Sequence, residues 1–142
     1  MSDILLIQIF SCWFLTGLIW LVQVLVYPNF RIVGPTEFKN FHQFHTNRIT
    51  WIVAPVMALE LLSGILLFAY ERNTFYFLNG ISILSLWALT GFINVPSHNY
   101  LSHDLEATKH RLVFRNWPRT IIWSLRSVVW LWFVHIQFAK GT

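Results

Sequence analysis

Charge is scarce in this chain. Of its 142 residues only 11% are Asp, Glu, Lys or Arg, while 56% are hydrophobic. A soluble domain carries charge on about a quarter of its residues, so the shortage excludes an ordinary water-soluble globule and places the chain among membrane proteins. Cysteine is nearly absent. The one residue, Cys12, cannot form an intramolecular disulfide, and its place inside an apolar run marks it as inert filler. No basic run exists, which removes nucleic acid as a partner despite a net charge of +4. The HExxH, CxxC and EF-hand patterns are missing too, so no metal signature of fixed spacing is present. There is no internal repeat and no low-complexity tract.

What the chain has is apolar runs and rings, with 8 Trp and 13 Phe suited to lipid and its interfaces. Four runs, roughly Ile4–Val26, Ile49–Ala69, Phe75–Val95 and Thr120–Ala139, approach the ~20 residues that cross a ~30 Å hydrocarbon core. The first lacks a basic leading region and a small-residue cleavage site, so it reads as a retained span rather than a signal peptide. The expected fold is a single all-α integral membrane domain over residues 1–142. It is a four-transmembrane-helix bundle with two amphipathic interfacial helices on one side.

Spans one and three run in the same direction, so the long connections Tyr27–Arg48 and Pro96–Arg119 share a side. The short Tyr70–Thr74 hairpin lies opposite. The long-loop side holds Arg31, Lys39, Arg48, Lys109, Arg111, Arg115 and Arg119, against Arg72 and Lys140 on the other. Lys- and Arg-rich loops stay cytoplasmic, which puts the long loops inside and both termini outside, with a bacterial inner membrane as the default location. Gly34-Pro35-Thr36 starts a helix that can run unbroken into span two. Ser97 or Ser102 can cap a second short helix that ends before Pro118, with His103, Ala107, His110 and Phe114 on one face.

Five of six histidines fall on the long-loop side: His42, His45, His98, His103 and His110. His42 and His45, in "NFHQFHTNRITW", share a helix face at i and i+3. His98 comes just after span three, which returns close to the entrance of span two. His42, His45, His98 and His103 are therefore the candidate ligands of a transition metal, with haem as an alternative. Iron or copper suits redox work, and zinc suits hydrolysis or structure. The plainer alternative is that these imidazoles bond loop carbonyls or lipid head groups. His135, on the far side, reads as structural.

Two ionisable residues lie deep within spans. Glu60 sits ~16 Å and Arg126 ~9 Å below the long-loop side, at ~1.5 Å per residue. Each costs about 3 kcal/mol or more if it faces lipid, so both should turn inward and pair. Pro55 frees the carbonyl of Trp51 and can open span two nearby. Span four shows a stripe of Arg119, Trp123, Arg126, Trp130, Phe133 and Gln137, and span one shows Thr16, Trp20, Gln23 and Tyr27. With Asn94 at the same level, these residues predict a polar pocket for a flat apolar molecule carrying one or two oxygens. Glu60 and Arg126 are the candidate catalytic residues. Gln23, Asn94, Trp123 and Arg119 are the candidate substrate contacts. A bundle-locking ion pair without chemistry is the structural alternative.

The stretch "FINVPSHNYLSHDLEA…RNWPRT" resembles the anthrone-oxygenase-like family of small four-helix membrane proteins, at Val95, Pro96, Asn99 and Leu101, then Trp117 and Arg119. The resemblance covers mainly the second half. It implies oxidation of an anthrone-like aromatic to a quinone. His98 and the His42/His45 pair depart from that pattern and favour a metal over cofactor-free chemistry. A weaker likeness, in size and span count, is to small haem-binding membrane oxidases of porphyrin synthesis, whose histidine in the first span is missing here. The reading that combines these features is a membrane oxidoreductase with a His-ligated metal near the cytoplasmic face, acting on an aromatic or quinone-like substrate. The competing readings are a non-enzymatic small subunit packing in a larger membrane complex, or a haem-binding membrane protein; a homo-oligomer or a larger membrane complex is the expected assembly.

Overall fold

The computed structural model describes residues 2–94 and 105–140 and, for residues 31, 93, 94, 105–108, 138 and 140, the backbone alone. The described chain is helical. Helix α1 spans Ser2–Leu21, passes through a π-helical turn at Val22–Val26 and continues as α2, Tyr27–Ile32. Helix α3 spans Pro35–Tyr70, α4 spans Thr74–Ala88 and ends in a second π-helical turn, Leu89–Asn94, and α5 spans Leu105–Lys140. Helix α1 packs on α3 and α5, α3 on α4, and α4 on α5.

Local chemistry sets the boundaries. Gly34, in extended backbone, precedes Pro35 in the first turn of α3, where a missing N–H costs nothing. At the far end Asn73 caps α4, its Oδ1 accepting from the Tyr76 N–H at 2.9 Å. The expected hairpin is therefore present as Glu71–Asn73, three residues between two helices.

Ser2–Phe30, Pro35–Tyr70 and Thr74–Phe92 are long and apolar enough to cross a membrane. Helix α5 matches α3 at 36 residues but is basic in its first half. The expected stop before Pro118 does not occur, because α5 runs straight through it. Pro118 removes one backbone donor, but α1 and the π-helical turn after it splint the helix on both sides of the gap. Asn116 Nδ2 donates to Gln23 Oε1 at 2.8 Å before the proline, and Trp20 Nε1 donates to Ser124 Oγ at 2.9 Å after it. The two interfacial helices are thus not separate elements among the described residues. One forms the start of α3 and the other the start of α5, and His110 and Phe114 on the latter are exposed.

Large apolar side chains cover much of the outside, and polar groups share the interior with the hydrophobic core. Leu6, Phe10, Leu62, Leu84 and Trp132 are exposed, whereas Gln8, Ser11, Glu60, Ser63, Asn79, Asn116 and Thr120 are buried. Water would reverse that distribution, and hydrocarbon permits it. Gly64 lets α3 and α4 approach closely, since a Cβ there would lie 2.6 Å from Ile83 Cδ1 and 3.2 Å from Gln8 Oε1. An aromatic cluster closes the end near the hairpin. Phe75 stacks on Phe133 at 4.7 Å between centroids and meets Trp130 edge-on at 5.1 Å.

Candidate functional site

Going along α5 from Arg126 back to Arg119, one face of the helix passes through three levels. At the deepest, Arg126 Nη1 donates to Glu60 Oε1 at 2.5 Å, and Nη2 donates to Asn79 Oδ1 at 3.0 Å. Glu60 is fully buried, and Arg126 is 6% exposed. The expected pairing of the two intramembrane charges is therefore direct, and it joins α3, α4 and α5. Around it Ser63 Oγ donates to Gln8 Oε1 at 2.8 Å, which brings α1 into the same polar core.

The middle level is Trp123, almost fully buried. Its Nε1 donates to Glu60 Oε2 at 3.4 Å. Its backbone carbonyl accepts from Thr16 Oγ1 at 3.1 Å, and Thr16 also bonds Ser127 Oγ at 2.7 Å. Cys12 lies against the same serine at 3.7 Å. The stripe expected on span one thus meets α5, at Thr16, Trp20 and Gln23, but on the side chains of Ser127, Ser124 and Asn116 rather than on those of the stripe expected on span four.

The upper level is a cavity of about 330 Å³ between α1, α3, α4 and α5. Its walls are mostly apolar, with Leu15, Ile19, Val53 and Met57 among them. Trp123 and Trp87 add aromatic faces, and Tyr27, His45 and Arg119 bring polar atoms. Arg119 lies over the Trp123 ring at 5.5 Å, and its buried Nε has no hydrogen-bond partner among the described residues. Both π-helical turns border the space, through Val22 on one side and Thr90 and Gly91 on the other. Such turns recur at functional sites, because the widened backbone makes room.

The expected site residues therefore divide. Arg119 and Trp123 line the cavity, but Glu60 and Arg126 lie beneath it, behind Trp123. The Gln23 amide is engaged by Asn116 and by the Val113 carbonyl, and Gln23 is not among the described residues that line the cavity. For Asn94 only the backbone is described, at the end of the second π turn. His135 is exposed, as its position opposite Arg126 implies.

His42 and His45 sit in the first three turns of α3, ahead of its apolar span. Their rings contact the buried Phe30 ring, each at 5.7 Å between centroids, and His42 also stacks on Phe38 at 5.6 Å. Burial holds both imidazoles below their ordinary pKa, and proximity to His45 adds to the effect on His42. Neutral imidazole is the form that binds a metal. Among the described residues no three His, Cys, Asp or Glu side chains converge. His98 and His103 lie outside the described residues. Lys109, reaching back from α5, donates to the Val33 carbonyl at 3.1 Å and covers Phe38, which fixes this corner.

Sequence reasoning missed Asn79, Gln8, Ser63 and Asn116. Gln8 and Ser11 were open to detection, since they extend the Thr16 stripe of span one toward the N-terminus at helical spacing. No protein family, curated protein or solved structure matches this chain. The likeness to the anthrone-oxygenase-like family therefore rests on the residues that carry it, of which Trp117 and Arg119 are described.

Proposed function

We propose that this chain is an integral membrane oxidoreductase of four spanning helices, with its long connections cytoplasmic, that binds a flat aromatic or quinone-like molecule. The observation that carries the reading is the cavity. It offers apolar and tryptophan walls for a ring system, with Arg119, His45 and Tyr27 placed to meet its oxygens. Its volume of about 330 Å³ falls at the lower end of small-molecule sites. The exposed apolar surface supports the membrane setting, and neutralisation of Arg126 by Glu60 makes α5 acceptable as the fourth span.

In this reading the chain's own residues orient the substrate and exclude water. Trp123 forms a fixed floor because Glu60 holds its indole N–H. His45 lies on the cavity wall, where an imidazole that holds a metal through one nitrogen can donate a hydrogen bond to a substrate oxygen through the other. A redox metal, iron or copper, held by His42 and His45 with His98 and His103 would supply electron transfer or oxygen activation. The two described imidazoles fit that role by being adjacent and neutral.

The test uses purified protein in nanodiscs. Elemental analysis and a visible spectrum report metal or haem, and tryptophan quenching by a short-chain quinone reports the cavity. Metal lost in His45→Ala, with quenching lost in Trp123→Phe, supports the whole reading. A metal-free parent that still binds quinone removes the metal and leaves a binding protein. A parent that binds neither favours a packing subunit, for which exposed rings such as Trp51 at 83% would be partner contacts.

A further inference from the structure

We infer that the cavity's occupant carries a negatively charged oxygen, and that Arg119 is the residue that holds it. The inference rests on the reading of the cavity as a ligand site and adds the charge of its ligand.

Two arginines lie seven residues, about two turns, apart on one face of α5. Their surroundings differ. Arg126 has the Glu60 carboxylate and the Asn79 carbonyl oxygen. Both have a buried Nε without a partner among the described residues, but Arg119 has an aromatic ring beneath it where Arg126 has a carboxylate. Among the described residues the cavity lining contains no Asp or Glu. Guanidinium does not shed its proton to escape an apolar wall, so its charge needs an external counterpart. Among the described residues that counterpart is present at Arg126 and absent two turns away at Arg119, where there is also space.

The geometry of the group narrows the class. A guanidinium fork matches the two oxygens of a carboxylate, or a phosphate, better than a single carbonyl. Stacking on Trp123 fixes the plane of the fork, and Trp123 is itself fixed by Glu60. The ligand is thus an apolar body, of ring-system size, with an acidic oxygen at the Arg119 end. A small aromatic acid and the head group of an anionic lipid share that chemistry.

The experiment titrates the full chain in phosphatidylcholine nanodiscs with 2-naphthoate and with the neutral 2-naphthamide, by calorimetry against empty discs. The acid should bind at least about ten-fold tighter, as a charge-assisted hydrogen bond requires. Arg119→Gln should abolish that preference while leaving the amide's affinity within about two-fold. Arg119→Lys should retain part of the preference. Repeating the titration with phosphatidylglycerol in the discs separates the sources. Competition assigns the site to a lipid head group, and its absence assigns it to a free acid. Equal affinities in the parent overturn the charge inference and leave the ligand site standing. Binding of neither probe overturns both. A Gln variant that fails to fold leaves the acid-against-amide comparison in the parent, and the Lys variant, to decide.

Discussion

Trp123 donates its indole N–H to Glu60 while turning its ring face to Arg119, so one side chain touches both the buried ion pair and the cavity. This makes the ion pair a foundation for the cavity floor. The candidate catalytic pair and the candidate substrate contacts are successive layers rather than one surface.

Removing one member of the pair should be worse than removing both. Glu60→Gln or Arg126→Met leaves a buried partner uncompensated, at a cost of about 3–5 kcal/mol. The double variant should lose less than the sum. Thermal unfolding of the four proteins in detergent measures the coupling, and strict additivity would show that the contact carries no energy.

Gly64→Ala should destabilise by about 1–3 kcal/mol, because its Cβ would meet Ile83 Cδ1 of α4 and Gln8 Oε1 of α1. Ile83→Val removes the offending methyl, so Gly64→Ala combined with Ile83→Val should recover part of the loss. Unfolding midpoints read this directly. A neutral Gly64→Ala would mean that α3 and α4 leave room between them for a methyl group.

Acid should loosen the corner around Phe30. His42 and His45 have folded pKa values below the ordinary 6.5. Between the folded and unfolded values the unfolded chain binds more protons, so stability rises with pH across that window. The neutral-histidine contribution is complete above about pH 6.5 and declines as pH falls through the depressed values. A His42→Gln/His45→Gln variant should show a flatter melting-temperature profile from about pH 7 to 5 than the parent. Parallel profiles would remove the histidines as its source.

Orientation can be read by thiol labelling. Lys39 and Arg72 are exposed at opposite ends of α3, and the only native thiol, Cys12, is buried. A Lys39→Cys variant should react only from the cytoplasmic side, and Arg72→Cys only from the other. The reverse pattern would invert the topology.

The inward charges were legible in the sequence because lipid leaves Glu60 and Arg126 little alternative to each other. The polar stripe of the first span was legible for the same reason, but the Ser124 and Ser127 face of α5 that it meets was not. Asn79 was not, because a neutral amide five residues into a span costs too little to demand a partner, and only the packing of α4 on α5 reveals that Arg126 uses it. Asn116 was hidden by Pro118. A proline weakens a helix locally, and the sequence does not show that Gln23 and Trp20 bridge the gap. The cavity itself depends on two π-helical turns, which leave no pattern in composition or periodicity.

Those turns make residue count matter as much as residue identity. A π-helical turn accommodates one residue more than regular winding requires. Loss of a single codon within Val22–Val26 would remove that extra residue and let α1 and α2 merge into a uniform α-helix with Tyr27 and Phe30 still turned inward. What would go is the widened backbone beside the cavity at Val22. Genetically, an in-frame deletion there spares the fold and strikes the cavity, whereas the same deletion in a regular stretch of α1 would turn every later residue of the helix by about 100°.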